Sequence, residues 1–424
     1  MRIRKKINFR APSTKVKSFL LIGGSEDYAN DTWGFVADGK GYKSGPHAAR
    51  TDMFGTLPGE PFALHYSQAN GAFYFVTADG VYLTDSATSK VHEKISDVVS
   101  PLPFFVDMYI NGFSVTVVFS GTDRVIYNGA TVEKFTDTHS FRTGVMHCGR
   151  FFAADYHDGI KLWWAATHAA DWTSGINGCG YTFLPPEGGD ILRLFSYDDR
   201  LIVVRKRGIT VVRAYGEPQH YKVEATAAYL VAEGIIADTC AVSGGKITFC
   251  SENAIYSFDG NSIERLMSFR HDGIYEPEFA VGMGEMYYVD CATEGRKCIL
   301  GYDCSAGTRW INYTLCSKLC ACADGVYIFN SSSAYRIARS ERAIGEWNSR
   351  KIDFGTDGVK LLKRVCVKGK GSINFLIECD GVLRVYNGAG WHRPMMYGRE
   401  FLFTVNSDGS LEEFLAEVEV RDGI

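Results

Sequence analysis

The adjacent carboxylates Asp198-Asp199, with Glu187 shortly before them, could act as a general acid and base. Two carboxyl groups can divide these roles when their environments separate their pKa values. This Asp-Asp pair, however, stands between two apolar runs, where aspartate commonly forms a turn through local hydrogen bonds. We therefore interpret the pair as a hairpin turn.

The other motifs that carry chemistry are missing from the sequence. It has no GxSxG, GxxxxGK[ST] or HExxH pattern and no GxGxxG that opens a helix. The 10 histidines are scattered, and the 12 cysteines form no CxxC pair. Several cysteines lie within apolar runs, which is typical of buried, reduced thiols in a reducing cytoplasm. We expect no catalytic residue, no cofactor and no metal ion, and we classify the protein as a non-enzyme.

Two basic segments are candidates for contact with a partner or with DNA. One is the expected hairpin tip Arg205-Lys206-Arg207, for which a solvated turn is the alternative. The other is the N-terminus, where residues 1–17 carry seven basic side chains and no acid. A positive arm of this kind can clamp a neighbouring subunit or lie against phosphate, or it can be a solvated tail. The candidate contact residues are Arg2, Arg4, Lys5, Lys6, Arg10, Arg205, Lys206 and Arg207.

The elements that would position these residues are short β-strands in a repeated hairpin. Residues 190–216 show the pattern: three short strands rich in Val, Ile and Tyr, joined by two tight turns. The strands are Leu192 to Tyr197, Arg200 to Arg205 and Ile209 to Arg213, and the turns are Asp198-Asp199 and Lys206 to Gly208. A similar unit recurs at intervals of roughly 40 to 50 residues, which is the spacing of propeller blades. The seven units begin near Asn70, Asn111, Gly149, Asp190, Gly244, Gly284 and Asp324. The sequence therefore predicts an all-β protein with a β-propeller of six or seven blades, each of about four strands, over residues 58–350.

The two ends of the chain differ from the middle. Residues 1–57 predict an extended N-terminal arm with short strands, as part of an assembly platform. Residues 351–424 predict a small C-terminal β-sandwich or open sheet of five alternating strands. Glu412 to Glu419 is the ambiguous stretch, because its composition also suits a short helix.

Composition agrees with a globular β-protein and excludes some functions. The chain has 424 residues, with 46% hydrophobic and 13% aromatic residues and 45 glycines. A net charge of -4 gives no general attraction to nucleic acid or membranes. Phe19 to Ile22 is too short for the core of a signal peptide, and no stretch approaches the roughly 20 apolar residues of a membrane span.

Three stretches resemble the propeller-bearing tail proteins of double-stranded DNA bacteriophages. These are the tail nozzle (tail tubular protein B) and packaged-DNA-stabilisation proteins. The stretches run from Trp163-Trp164-Ala165 through Gly189-Asp190-Ile191 to Val204, from Glu346 to Val365, and from Tyr397 to Phe403. The likeness covers residues 140–424.

This resemblance implies a structural virion protein. Copies would form a homo-oligomeric ring, expected to be hexameric, in the tail or head–tail connector. The ring would extend the DNA channel, contact double-stranded DNA without reading its sequence, and help to retain and release the genome. Expected partners are portal and adaptor proteins and a tail fibre or tip protein, with assembly in the host cytoplasm and a final location in the virion tail. The alternatives are a propeller binding module, such as a virion decoration protein or host-glycan adhesin, and a propeller hydrolase or lyase.

Overall fold

The protein was analysed as a computed structural model. The structure describes residues 4–6, 14–22, 29–33, 35–37, 42–44, 46–51, 53–85, 92–97, 102–110, 112–167, 178–228, 234–271, 273–293, 295–305, 307–312, 316, 318–322, 324–330, 333–342 and 344–421. Within these ranges the regular structure is β-strand, with single 3-10 turns at Pro186–Gly188, Pro218–His220, Ala237–Thr239 and Phe269–His271. The all-β prediction is confirmed.

Six short strands come from the N-terminal segment. They are β1 (Arg4–Lys6), β2 (Thr14–Ile22), β3 (Ala29–Trp33), β4 (Phe35–Ala37), β5 (Tyr42–Ser44) and β6 (Pro46–Thr51).

Seven antiparallel sheets follow along the chain. The first sheet contains β7 (Ala63–Ser67), β8 (Ala72–Thr77), β9 (Gly80–Asp85) and β10 (Glu93–Ser96). The second contains β11 (Phe104–Ile110), β12 (Phe113–Ser120), β13 (Asp123–Tyr127) and β14 (Val132–Thr136). The third contains β15 (Phe141–His147), β16 (Arg150–Asp155), β17 (Lys161–Thr167) and β18 (Gly180–Phe183). The fourth contains β19 (Ile191–Tyr197), β20 (Arg200–Arg205), β21 (Gly208–Arg213) and β22 (Lys222–Ala228).

The last three sheets repeat the arrangement with small changes. The fifth contains β23 (Ala241–Ser243), β24 (Lys246–Cys250), β25 (Ala254–Phe258) and β26 (Ile263–Ser268). The sixth contains β27 (Ile274–Tyr275), β28 (Ala280–Met283), β29 (Met286–Thr293), β30 (Arg296–Asp303) and β31 (Arg309–Asn312). The seventh contains β32 (Lys318–Cys322), β33 (Gly325–Phe329) and β34 (Ala334–Arg342), and β6 from the N-terminal segment completes it.

These sheets are the blades of a β-propeller. The second strand of a blade is buried on both faces, as β20 illustrates: Ile202 and Val204 pack towards the fifth blade, whereas Leu201 and Val203 pack towards the third. Successive residues of a strand point to opposite faces, so a strand between two neighbouring sheets must be apolar throughout. This explains why the hairpins read as continuous apolar runs, and all seven predicted units coincide with central hairpins of blades.

The ring closes between the seventh and first blades. Tyr327 and Phe329 of the seventh blade share an apolar cluster with Phe73 and Phe75 of the first. Phe54 lies among them, with its ring centroid 4.8 Å from that of Phe73 and 5.3 Å from that of Tyr327. The first strands of these two blades, β32 and β7, are also in contact. Closure therefore rests on aromatic packing and on the strand that β6 lends to the seventh blade.

The remaining strands are β35 (Gly345–Ser349), β36 (Lys360–Lys370), β37 (Ile373–Cys379), β38 (Val382–Asn387), β39 (Gly390–His392), β40 (Met396–Gly398), β41 (Leu402–Ser407) and β42 (Ser410–Arg421). They form two sheets together with β1–β5. One has the order β1-β2-β42-β36-β39, with β4, β5 and β40 attached, and the other has the order β3-β35-β41-β37-β38.

The two sheets form a β-sandwich with one apolar core. Val365 and Phe414 belong to the first sheet and Phe375 and Phe403 to the second, and all four lie in the same buried cluster. The helical alternative for Glu412 to Glu419 is wrong, because this stretch lies within β42. Its inward side chains alternate with glutamates that pair with basic residues of β36, which is a period of two.

The chain divides into two compact units. One consists of Met1–His47, Leu300–Asn312 and Ala338–Ile424 and contains the sandwich. The other consists of Ala48–Ile299 and Tyr313–Ile337 and contains most of the propeller. We call them the terminal unit and the propeller unit.

Candidate functional site

The predicted basic hairpin tip is only partly exposed. Lys206 and Arg207 form the exposed turn between β20 and β21, but Arg205 is fully buried. Its Nε and Nη2 donate to the carbonyl oxygen of Gly189 at 2.9 and 2.6 Å. The expectation that Arg205 is a surface residue is therefore wrong, because Arg205 ends a strand that is buried between blades. A contact of Lys206 or Arg207 with a partner remains a prediction.

The predicted N-terminal contacts lie at the limit of the described residues. Arg2 and Arg10 fall outside them, and for Arg4, Lys5 and Lys6 only the backbone is described, as strand β1. β1 pairs with β2, and β2 pairs with β42 near the C-terminus. Residues 4–6 are thus built into the sandwich as a strand, and contact of the N-terminal basic residues with DNA or a partner remains a prediction.

A central cavity of about 760 Å³ lies within the propeller unit. All seven blades contribute to its wall, mainly through the first strand of each blade and the segment that leads into it. This position follows from the fold, because the first strands of the blades lie side by side around the axis. The lining is apolar over a large part and carries a few charged groups. This composition and volume are typical of small-molecule sites.

Cations project into this cavity from three blades. Arg142 of the third blade lies 3.4 Å from Asp190, measured from Nη1 to Oδ2, and its Nη2 donates to the Tyr156 carbonyl at 2.9 Å. Arg193 of the fourth blade pairs with Asp238, which precedes the fifth blade. Each arginine is therefore matched by one carboxylate and ties neighbouring parts of the wall together. The third cation is Lys318.

The first blade presents an oriented histidine to the same cavity. His65 Nε2 lies 3.3 Å from Asp107 Oδ1, and the imidazole stacks on Phe105 with a centroid distance of 5.3 Å. Burial raises the pKa of Asp107, but hydrogen bonds from His65, Ser67 and Thr116 outweigh burial and bring the pKa below its ordinary value. Asp107 is therefore an ionised carboxylate that fixes the plane of the His65 ring against the wall.

The cavity residues belong to no motif that the sequence displays. Arg142, Arg193 and Lys318 lie in first strands, whereas most units of the repeat were recognised from their second and third strands. What could have indicated these residues is their position in the sequence, because each lies shortly before a recognised hairpin. Aligning the seven units and extending them towards the N-terminus would have found these residues.

A second candidate surface lies on the outer strands of the third blade. Tyr181 and Phe183 of β18 are 50% and 54% exposed. The Tyr181 ring lies 4.8 Å from that of Trp163, and Lys161 Nζ lies 4.1 Å from the centroids of both rings. Exposed rings beside a cation form an open aromatic platform.

The terminal unit exposes an apolar sheet edge. β38 is the last strand of its sheet and pairs only with β37 among the described strands. Val382, Leu383 and Val385 of this strand are 54%, 55% and 61% exposed. Natural proteins usually protect such edges with lysine, proline or bulges, because free backbone groups recruit further strands. β38 has one charged residue, Arg384, which donates to the Pro394 carbonyl at 2.6 Å.

The outer face of the other sheet adds aromatic side chains to the terminal unit. Trp391 and Tyr397 are about half exposed. The Arg364 guanidinium lies 4.5 Å from the Trp391 ring centroid, and its Nη2 donates to Glu417 Oε1 at 3.2 Å. This face therefore combines apolar rings with paired charges, which is the composition of a protein interface.

The described residues contain no group of three His, Cys, Asp or Glu side chains close enough to hold a metal ion. None of their helical turns has the length and hydropathy needed to cross a bilayer. All 12 cysteines are free thiols, and seven of them are buried: Cys250, Cys291, Cys298, Cys320, Cys322, Cys366 and Cys379.

The fold defines a β-propeller protein, and similar solved structures exist. No protein-family model matches the chain, and no curated protein sequence does. The chain is similar to the extracellular domain of BT4673 from B. thetaiotaomicron, with a TM-score of 0.50 and 10% identity, over 89% of this chain and 59% of that one. It is also similar to PorZ, a surface component of the type-IX secretion system of Porphyromonas gingivalis, with a TM-score of 0.45 and 12% identity, over 82% of this chain and 46% of PorZ.

This chain therefore spans 59% and 46% of the length of these two structures. At 10% identity, the similarity to the BT4673 domain shows the fold alone.

Proposed function

We propose that this protein is a structural component of a double-stranded DNA phage virion that assembles into a ring through its terminal unit. The ring would belong to the tail or head–tail connector, extend the DNA channel and help to retain and release the genome. The observation that carries the proposal is the unprotected edge strand β38, with three exposed apolar side chains. A free edge of this kind can be continued by a strand of a neighbouring subunit.

Two further features support assembly. Both ends of the chain contribute strands to the sandwich, so the rigid propeller is attached to a platform that can join subunits. Trp391 and Tyr397 provide apolar area on another face of the same unit. The specific role in a phage particle rests on the sequence resemblance to tail nozzle and DNA-stabilisation proteins.

Mass photometry and negative-stain microscopy of the full chain test this proposal. We expect closed rings for the wild type and a folded monomer for Val385→Lys, because lysine places a charge on the outward face of the edge. Val223→Lys is the matched control, since Val223 is an exposed valine in the last strand of the fourth blade. A wild type that stays monomeric alone and beside portal and adaptor proteins refutes the assembly role.

A second candidate function is binding of a host glycan by the propeller. The aromatic platform of Trp163, Tyr181 and Phe183 favours it, because sugars present apolar C–H faces to aromatic rings. Binding to host cell-wall polysaccharide that is lost in Tyr181→Ala and kept in Tyr215→Ala, an exposed tyrosine elsewhere, would support this role. Equal binding by both variants would exclude the aromatic platform as the glycan-binding site.

A further inference from the structure

The three cations of the central cavity differ in their ion pairs. Arg142 and Arg193 each face one carboxylate, Asp190 and Asp238. Lys318 has no carboxylate oxygen within ion-pairing distance among the described residues. Among the lysine and arginine side chains of the described lining, Lys318 is therefore the one without a direct ion pair, and it lies where the seventh blade meets the cavity.

Lys318 is partly buried and held at a fixed place. Its Nζ lies 4.5 Å from the centroid of the Phe279 ring, which belongs to the sixth-blade part of the wall. A cation over an aromatic face is stabilised, but its remaining N–H groups still need acceptors. A half-desolvated ammonium group without a carboxylate partner is suited to bind an anionic group from a ligand.

The carboxyl group of Asp290, buried in the sixth blade, is near enough to interact with the charge of Lys318 but makes no direct ion pair with it. It lies 3.8 Å from Lys297 Nζ and accepts no side-chain hydrogen bond from the described residues. Burial raises the pKa of Asp290 to about 7, so the group is mainly protonated under mildly acidic conditions. The charge of Lys318 then remains uncompensated.

The rest of the wall is suited to an apolar ligand body. Phe62, Leu102 and Tyr156 line the cavity with their side chains 40%, 50% and 41% exposed. The His65 ring, fixed by Asp107 and Phe105, adds a flat surface. Large apolar side chains left open inside a cavity gain free energy when a ligand covers them.

We infer that the central cavity binds a small monoanion with an apolar body, such as an aromatic carboxylate, with Lys318 as its anion contact. The apolar body packs against Phe62, Leu102 and the His65 ring, while the carboxylate accepts hydrogen bonds from Lys318 Nζ. One lysine without a direct ion pair among the described residues favours one anionic group, and the volume of about 760 Å³ admits a molecule of up to drug size. This inference is independent of ring assembly.

Isothermal titration calorimetry with naphthoate and its neutral analogue naphthamide tests the inference at pH 6. We expect the wild type to bind naphthoate at least about tenfold more tightly than naphthamide, since a partly buried charged hydrogen bond is worth about that factor. Lys318→Met should abolish this preference and leave naphthamide binding unchanged. The control Lys134→Met, which changes an exposed lysine of the propeller unit, should retain the preference.

Equal affinity of the wild type for both compounds overturns the inference, as does binding of neither up to millimolar concentration. Retention of the preference by Lys318→Met also overturns it. Lys318→Gln keeps a polar group of similar length and serves as the test if Lys318→Met does not fold. Because Val385→Lys changes only the terminal unit, measuring it beside the wild type separates a failure of ligand binding from a failure of assembly.

Discussion

Replacing Asp290 by Asn should stabilise the protein in a pH-dependent manner. Asp290 lies on β29 and is fully buried, and neither of its carboxyl oxygens has a hydrogen-bond partner among the described residues. Its nearest cation, Lys297 Nζ, is 3.8 Å away and also pairs with Glu278 at 2.5 Å. Burial disfavours the charged carboxylate more than Lys297 favours it, and the pKa of Asp290 rises from 3.8 to about 7.

The sign and the size of the effect follow from this pKa. An acid whose pKa is raised on folding binds more protons in the folded state than in the unfolded state, so stability falls as pH increases. The loss occurs between pH values of about 4 and 7, and stability is level above that range. Each pKa unit corresponds to about 1.4 kcal/mol, so the wild type should lose about 2.5 to 3 kcal/mol from this group between pH 5 and pH 8. Asn does not titrate and avoids this loss.

Urea unfolding followed by tryptophan fluorescence at pH 5 and pH 8 measures the effect. The free energy of unfolding of Asp290→Asn relative to wild type should increase by about 2.5 to 3 kcal/mol from the lower to the higher pH. Asp199→Asn, in an exposed turn, is the control and should change stability by less than about 0.5 kcal/mol. A constant difference between Asp290→Asn and wild type at both pH values would refute the account of a buried, uncompensated carboxyl group.

Three further substitutions or treatments have defined outcomes. Gly282→Ala should cost at least about 2 kcal/mol in urea unfolding, because the new Cβ would lie 1.8 Å from the Val242 carbonyl oxygen of the neighbouring blade; a neutral result would contradict this close approach. Trp347→Ala should cost about 3 to 5 kcal/mol by the same measurement, since Trp347 is 1% exposed in the sandwich core; a loss below about 1 kcal/mol would exclude a tightly packed core. Maleimide should modify exposed Cys148 in the native protein and leave Cys291 unmodified until the chain unfolds, as mass spectrometry can show; rapid labelling of Cys291 would contradict its burial.

The blades could be predicted because their central hairpins carry a strong local signal. Residues 201–204 are apolar without interruption, since both faces of β20 are covered by other blades. The first strands face the cavity on one side and mix charged with apolar residues. The expected strand from Leu192 to Tyr197 therefore gave no sign that Arg193 lines a cavity, and no comparable pattern marked Lys318. A search for hairpins therefore could not identify the cavity as a candidate binding site.

The other differences between the sequence-based predictions and the structure arise from pairing of distant strands and from burial of a charged side chain. No local pattern shows that residues 46–51 complete the seventh blade or that β2 lies beside β42, because hydrogen bonds between distant strands leave no spacing in the sequence. Arg205 was expected at the surface because arginine is seldom fully buried. Its burial depends on the Gly189 carbonyl and on Gly188, where a Cβ would lie 2.7 Å from the Arg205 Cζ atom.

The contribution of β6 to the last blade sets an order of events during synthesis. β6 leaves the ribosome early, but its partner β34 begins only at Ala334. At translation rates of about 5 to 20 residues per second, the wait lasts on the order of 15 to 55 seconds. During this time the incomplete propeller exposes an uncovered apolar face at each end of its row of blades, and β6 has no partner strand. Ribosomes on the same message hold many such incomplete chains close together. Pairing of β6 from one nascent chain with β34 of another would then link two propellers. Slow translation and a high density of ribosomes on one message would both favour such linked chains.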